Sequence, residues 1–205
     1  MGRSIAFIDF DGTLTKKDSF TLFVIYALSW PALIIKGVLF LPFAMLFLMR
    51  LLPNSVAKQL AVKFFFRGRN ANELEKMGED FARKRISILL RPGVLERIRW
   101  HQQQEHKTVI VSASLRYWLQ SWCKENSLEL ICTELEENEG TVTGRLVPRN
   151  CFGPEKVRKI QERFDLKSYD TIYAYGDTRG DREMLAMAHQ SYFKPFRGRF
   201  EFESQ

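Results

Sequence analysis

Residues 4 to 15 read Ser-Ile-Ala-Phe-Ile-Asp-Phe-Asp-Gly-Thr-Leu-Thr, an apolar run that ends in two carboxylates and a glycine. A short run of this kind is typical of a strand buried on both faces of a parallel sheet. Asp9 and Asp11 come where the strand ends, and open α/β sheets bind their ligands at the carboxyl ends of the strands. We therefore predict an α/β protein whose functional site lies at this edge.

The two carboxylates are spaced so that they can share one site. Asp9 and Asp11 are two residues apart, so a continued strand would place both side chains on one face, and Gly12 lets the backbone turn after them. Mg²⁺ prefers oxygen ligands and is commonly held by one or two carboxylates together with a substrate phosphate. This pattern indicates phosphoryl chemistry, in which one carboxylate attacks phosphorus and the other handles the leaving-group proton.

The segment Asp9-Phe-Asp-Gly-Thr13 resembles the first motif of the haloacid dehalogenase superfamily of phosphohydrolases. Three later segments are similar to the remaining motifs and follow in the same order: Ser112 after an apolar run, Lys156 near a predicted helix start, and Gly-Asp177-x-x-x-Asp181. The first motif alone is good evidence and the later ones are weaker, but four in order make coincidence a poor explanation.

The resemblance implies a doubly wound, Rossmann-like parallel sheet with a helical cap inserted after the first strand motif, as in the phosphoserine-phosphatase-like branch. The expected catalytic core comprises residues 1–18 and 106–205, and the expected cap comprises residues 19–105. A charged tail from Lys194 to Gln205 is expected to be loose.

The resemblance also implies a role for each motif residue. Asp9 would form an aspartyl-phosphate, while Asp11 would protonate the leaving group and then activate water. Ser112 and Lys156 would bind the phosphoryl oxygens. The ligands of Mg²⁺ that the resemblance implies are the Asp9 carboxylate, the Asp11 backbone carbonyl and Asp177, with Asp181 as a further or outer ligand.

The charge and cysteine content narrow the expected partners and compartment. A formal net charge of +7 and a pI near 9.4 favour anionic partners, namely phosphate esters, nucleic acid or acidic lipid surfaces. Three cysteines without Cys-x-x-Cys spacing, and a start that does not resemble a secretory signal, predict the reduced, cytoplasmic side.

An unusual apolar segment runs from Phe20 to Leu52, with Lys36 as its only charge before Arg50. We expect a helical hairpin broken near Lys36-Gly37, with arms of about sixteen residues or roughly 24 Å, short of the roughly 30 Å hydrocarbon core. Such a hairpin would dip into one leaflet or lie at the interface. The alternative is burial in the cap or in a dimer. Basic residues that flank the segment suit an anionic membrane: Lys16, Lys17, Arg50, Lys58, Lys63, Arg67 and Arg69.

Three functions remain open. The first is a lipid-phosphate monoesterase at the inner face of the cytoplasmic membrane, because the apolar cap is similar to that of bacterial phosphatidylglycerophosphate phosphatases of this branch. The second is a soluble phosphatase for a small metabolite such as phosphoserine. The third is a non-catalytic membrane or nucleic-acid-binding module. The complete motif set argues against this third function. A phosphorylated substrate and a membrane surface are thus the expected partners, rather than nucleic acid.

Overall fold

The computed structural model describes residues 2–197, so most of the charged tail predicted from Lys194 lies outside the described residues. A six-stranded sheet forms the centre, with the order β4-β3-β2-β1-β5-β6. Its strands are β1 Ser4–Ile8, β2 Lys107–Leu115, β3 Glu129–Asn138, β4 Thr141–Val147, β5 Thr171–Gly176 and β6 Gln190–Phe193. All neighbours pair in parallel except β3 and β4, which form an antiparallel hairpin. The predicted Rossmann-like α/β fold is confirmed.

Helices fill the long connection between β1 and β2. They are α1 Ser19–Ala27, α2 Trp30–Leu48, α3 Asn54–Phe66, α4 Ala71–Phe81, α5 Ser87–Leu89 and α6 Val94–Gln103, with a π-helical turn at Ala82–Ile86. Later in the chain come α7 Arg116–Glu125, α8 Pro154–Arg163 and α9 Arg182–Ala186. The helical insertion thus lies where the motifs predict a cap, and the domain limits 1–18, 19–105 and 106–205 stay a prediction.

Both faces of β1 are buried, which explains its continuous apolar sequence. Ile5 and Phe7 belong to a core cluster that includes residues of α8 and α9. Ala6 and Ile8 point to the opposite face and belong to a larger cluster shared with α6, α7 and the cap helices. Because β1 lies between β2 and β5, the residues that follow it emerge in the middle of the sheet edge.

Aromatic packing attaches the cap to the sheet layer. The ring of Phe23 on α1 stacks on Trp118 of α7 with 4.5 Å between centroids, and Phe66 and Phe81 pack on Phe23 from α3 and α4. All four side chains are buried. Burying aromatic side chains of this size makes the cap and the core one continuous apolar unit.

The predicted break near Lys36-Gly37 is wrong. The break lies at Leu28 and Ser29, whose backbones are extended, and α2 then continues for 19 residues through Gly37 and Pro42. Pro31 occupies the first turn of α2, where a proline is tolerated because its missing N–H is not needed there. Glycine inside a helix costs only about 1 kcal/mol, so a long apolar helix can continue through Gly37.

Helix α2 is the unusual element of the fold. It has no buried residue, and by length and composition alone it could cross a membrane, with a mean hydropathy of 2.1. Its length is about 28 Å at about 1.5 Å per residue. Both of its ends are nevertheless attached to the same body: α1 packs on α7, while Gln59 of α3 accepts a hydrogen bond from Leu146 N of β4 at 3.1 Å.

Candidate active site

Residues from three parallel strands meet at the carboxyl edge of the sheet. Asp9 follows β1 directly, Ser112 lies near the end of β2, and Asp177 follows β5. Lys156 reaches the same place from the first turn of α8. The fold thus brings together side chains that are far apart in the sequence.

Lys156 holds two of the carboxylates. Its Nζ donates to Asp9 Oδ1 at 2.6 Å, to Asp181 Oδ1 at 2.8 Å and to the carbonyl of Val111 at 2.7 Å. The residues that provide the three acceptors are buried, so this ammonium group has its donors satisfied without water. Thr13 Oγ1 lies 2.8 Å from Asp9 Oδ2 and 3.1 Å from Asp177 Oδ1, between the two carboxylates.

Asp181 is oriented by the turn that precedes it. Its Oδ2 accepts hydrogen bonds from Asp177 N at 3.1 Å, Thr178 N at 2.9 Å and Thr178 Oγ1 at 3.0 Å. Thr178 also caps the 3₁₀ turn Arg179–Asp181. The spacing Asp177-x-x-x-Asp181 therefore folds back on itself and presents both carboxylates to the same point.

Burial dominates the electrostatics of this cluster. Removal from water raises the pKa of Asp9 to about 7, although the ammonium of Lys156 acts in the opposite direction. The pKa of Asp177 is also raised by burial. Burial would lower the pKa of Lys156, but the carboxylates of Asp9 and Asp181 outweigh it and hold that pKa above its usual value. The lysine therefore stays charged.

Two structural features explain why position 12 is a glycine. Its φ is +85°, in the region that favours glycine, and a Cβ there would lie 2.5 Å from Asp177 Oδ2. The glycine after the two aspartates thus allows the turn and lets the fourth motif approach the first.

The Asp11 carboxylate points to a different set of partners. Its Oδ1 accepts a hydrogen bond from Ser19 N at 2.7 Å, and its Oδ2 accepts one from Ser114 Oγ. Burial, followed by the charge of Asp18, raises the pKa of Asp11. A raised pKa favours the protonated form, which a general acid needs.

Ser112 and Lys156 both line a cavity of about 510 Å³ above the carboxylates. Ser112 is fully buried, and its Oγ accepts a hydrogen bond from Ser114 N at 3.0 Å, which leaves its own proton for a ligand. Asp9 and Asp11 open into the same cavity. The walls on the cap side are apolar and come from α1, α2, α3 and the loop between α2 and α3: Phe20, Phe40, Phe43, Phe47, Leu52, Leu60 and Ala61.

Several residues at the site were not found by the sequence analysis. Ser19 and Ser114 contact the Asp11 carboxylate, and neither serine belongs to one of the four motifs. Arg197 contacts Asp177 Oδ2 and lies 3.3 Å from the carbonyl of Gly12. The pattern Ser112-x-Ser114 could have indicated that Ser114 faces the site together with Ser112, because alternate residues of a strand share a face.

The carboxylates fit a magnesium ion. Oxygen atoms of Asp9, Asp177 and Asp181 all lie within 4.8 Å of one another. Three carboxylates face two cations, Lys156 and Arg197, so the cluster keeps a net negative charge that favours binding of a cation. Oxygen ligands of this kind suit Mg²⁺. The Asp11 carboxylate is bonded to Ser19 and Ser114 instead, and the role of the Asp11 backbone carbonyl as a ligand stays a prediction.

A parallel α/β sheet with acids, a hydroxyl and a lysine at its carboxyl edge defines a hydrolase of the haloacid dehalogenase type. The chain belongs to this family, because residues 6–186 match the model described as haloacid dehalogenase-like hydrolase. It is also 35% identical over 203 residues to Protein CicA of Caulobacter vibrioides (strain NA1000 / CB15N), covering 93% of this chain and 86% of that protein.

Two solved structures show the same fold at low sequence identity. A protein of unknown function from Bordetella pertussis Tohama I has a TM-score of 0.79 at 20% identity, covering 93% of this chain and 89% of that one. The phospho-aspartyl intermediate analogue of phosphoserine phosphatase has a TM-score of 0.62 at 18% identity, covering 93% and 86%. The family match confirms the predicted hydrolase, and the two solved structures show that the fold is shared.

Proposed function

We propose that the protein is a Mg²⁺-dependent phosphomonoester hydrolase that works through an aspartyl-phosphate on Asp9. The observation that carries this proposal is the meeting of Asp9, Asp177 and Asp181 within 4.8 Å, with Lys156 bonded to two of them. A nucleophilic carboxylate, cation ligands and a fixed positive charge are the parts that phosphoryl transfer needs.

In the proposed mechanism the Asp9 carboxylate attacks phosphorus and the bond to the alcohol oxygen breaks. Asp11 gives its proton to that oxygen, and the alcohol leaves. Asp11, now ionised, takes a proton from water, and the resulting hydroxide attacks the phosphoryl group on Asp9. Inorganic phosphate leaves and both aspartates are restored.

The remaining residues of the site bind the phosphoryl group and neutralise its negative charge. Ser112 donates to a phosphoryl oxygen, and Lys156 offsets negative charge on Asp9 and on the group being transferred. When bound by the carboxylates, Mg²⁺ supplies charge stabilisation for the phosphoryl oxygens. Ser19 and Ser114 hold the Asp11 carboxyl group toward the cavity.

The proposed substrate is a membrane lipid phosphate, such as phosphatidylglycerophosphate. Support comes from the cap-side wall of the cavity, where Phe40, Phe43 and Phe47 of α2 present apolar surface a short way from the catalytic acids. An apolar cavity wall suits acyl chains better than it suits a zwitterionic amino acid.

The proposed location is the inner face of the cytoplasmic membrane. The exposed apolar residues of α2 form an apolar surface that a soluble monomer rarely carries; they include Trp30, Ile34, Ile35, Val38, Leu39, Leu41, Met45 and Leu48. Because both ends of α2 are attached to one body, we propose that α2 lies in the interface rather than crossing the bilayer. Five basic residues that precede or follow α2 in the sequence are exposed: Lys16, Lys17, Arg50, Lys63 and Arg67.

The second candidate is a soluble phosphatase for a small metabolite, with α2 covered in a dimer. It is favoured by the likeness to phosphoserine phosphatase. The experiment that separates the candidates is a Mg²⁺-dependent activity screen of the purified protein with phosphatidylglycerophosphate, phosphatidate and phosphoserine side by side. Hydrolysis of the lipids supports the proposal. Exclusive hydrolysis of phosphoserine supports the second candidate, and absence of any activity would contradict both.

A further inference from the structure

One lysine of the cap lies inside the cavity instead of on the outer surface. The apolar positions of α3 that face inward include Ala61, Val62 and Phe65, all buried. Lys58 precedes them by three, four and seven residues and therefore shares their face. The sequence pattern suggested that Lys58 belongs to a basic membrane surface. In the structure it lines the cavity that also contains Asp9, Asp11 and Lys156.

The ammonium of Lys58 rests on an aromatic ring without a carboxylate partner. Its Nζ lies 3.4 Å from the centroid of the Phe20 ring, and within residues 2–197 it makes no ion pair. Burial lowers the pKa of Lys58 to about 8, while the charges of Asp18 and Asp11 act in the opposite direction. A half-buried cation in a mostly apolar wall has lost part of its hydration, so a ligand anion would be stabilised there.

The two ends of the cavity differ in what they offer an anion. At the sheet edge, Ser112 and Lys156 are positioned for the phosphoryl group that is transferred. Lys58 is on the cap helix α3, on the side where the alcohol portion of a substrate would lie. The Phe20 ring that contacts Lys58 belongs to α1. The lysine and the ring therefore come from two different cap helices.

We propose that Lys58 binds a second anionic group, a phosphodiester carried by the alcohol portion of the substrate. This inference rests on the proposed function and makes it more specific. The enzyme would prefer a lipid with both a terminal phosphomonoester and an internal phosphodiester over a lipid with a single phosphomonoester. Phosphatidylglycerophosphate has both groups, whereas phosphatidate has only the monoester.

The test measures kcat/KM for phosphatidylglycerophosphate and for phosphatidate with the same acyl chains in the same detergent micelles. Lys58→Met should reduce the ratio of the two values by about tenfold, the size expected for a lost charge-assisted hydrogen bond. Lys58→Arg should retain most of the preference. Lys63→Met is the matched control, since Lys63 is exposed on the same helix, and it should leave the ratio unchanged.

Two further results separate failure of the subsite from failure of the proposed function. Folding of Lys58→Met is checked by circular dichroism and by hydrolysis of p-nitrophenyl phosphate, which has no second anion. An unchanged ratio in folded Lys58→Met, or a wild-type enzyme that hydrolyses p-nitrophenyl phosphate without preferring the doubly phosphorylated lipid, overturns the subsite alone. A wild-type enzyme that is inactive on all three substrates overturns the proposed function and the subsite together.

Discussion

Lys156 Nζ lies 2.6 Å from Asp9 Oδ1, although the two residues are 147 positions apart in the chain. The contact joins the start of α8 to the end of β1 in the buried part of the sheet edge. Because Lys156 also bonds Asp181, one ammonium group fixes the positions of a proposed nucleophile and a proposed cation ligand. The arrangement of the site therefore depends on this lysine.

Replacing Lys156 by Met should damage both stability and activity. The substitution leaves Asp9 and Asp181 as buried carboxylates without their common partner, and breaking a buried pair in this way costs about 3–5 kcal/mol. We expect the free energy of unfolding in urea, measured without Mg²⁺, to fall by about this amount. Activity should fall by at least about a hundredfold in the fraction that remains folded.

Lys167→Met provides the control for this loss, because Lys167 is exposed and lies in the 3₁₀ turn Leu166–Ser168, outside the four motifs. It should change the free energy of unfolding by less than about 0.5 kcal/mol. If both lysine variants had the same stability as the wild type, the buried ion pair would not organise the site.

Mg²⁺ should stabilise the protein more at about pH 8 than at about pH 5.5. Burial raises the pKa of Asp9 to about 7, so in the absence of metal this carboxyl group is mostly protonated at the lower pH. A raised carboxyl pKa means that the metal-free fold loses stability as pH rises from about 4 to about 7. Binding of Mg²⁺ requires the ionised group and offsets that loss.

The measurement is the Mg²⁺-induced change in Tm at the two pH values. Asp177→Asn should abolish most of the change, and Glu79→Gln, at an exposed position of α4, should preserve it. An equal change in Tm at both pH values would show that ionisation of the Asp9 cluster is not linked to metal binding.

Asp11→Asn should slow the reaction in a way that depends on the leaving group. General acid catalysis contributes about 10²–10⁴-fold, and an alkyl alcohol needs it more than nitrophenol does. With p-nitrophenyl phosphate we expect a burst of about one nitrophenol per enzyme followed by slow turnover, because the second step also uses Asp11.

Stopped-flow absorbance measures this burst directly. Asp165→Asn is the control, since Asp165 is exposed and caps the 3₁₀ turn Leu166–Ser168, where asparagine can also cap. This control variant should show neither the burst of nitrophenol nor the large loss of activity. Equal losses for alkyl and nitrophenyl substrates in Asp11→Asn would argue against a proton-transfer role.

The apolar surface of α2 should determine membrane binding. The double substitution Ile35→Glu and Leu39→Glu places two charges on that surface, and we expect the affinity for anionic vesicles to fall by about tenfold or more. Co-sedimentation with vesicles measures the bound fraction. Ile88→Glu, at a position that is 69% exposed outside α2, should have little effect. Recovery of the wild type entirely in the supernatant at low salt would contradict membrane association.

The sheet and the site motifs were predictable because their signals are local. A buried strand followed by Asp-x-Asp-Gly can be recognised from a few adjacent residues. Segments of this kind meet at the carboxyl edge of the sheet because the strands are parallel. Ser112 and Asp177 follow the same logic, whereas Lys156 lies on helix α8 and was indicated only by its place in the order of the motifs. The partners of Asp11 were not predictable, because Ser19 and Ser114 reach it through the packing of α1 against β2.

The cap was harder to predict because its sequence is almost uniformly apolar. Gly37 and Pro42 look like helix breaks, yet the actual break is at Leu28 and Ser29, where no strong turn residue stands. The inward orientation of Lys58 was missed for a different reason. A lysine beside an apolar segment is normally taken as exposed, and only the positions of Ala61 and Phe65 show which face of α3 is buried.

The central claim is that Asp9 becomes phosphorylated during turnover, and the most direct test is to quench the reaction in acid and locate the phosphoryl group by peptide mass spectrometry. We predict one phosphoryl group on the peptide that contains Asp9, more of it in Asp11→Asn, and none in Asp9→Asn, which should also be inactive. Full activity of Asp9→Asn, or turnover with no phosphorylated peptide at any quench time in either Asp11→Asn or the wild type, would contradict the mechanism.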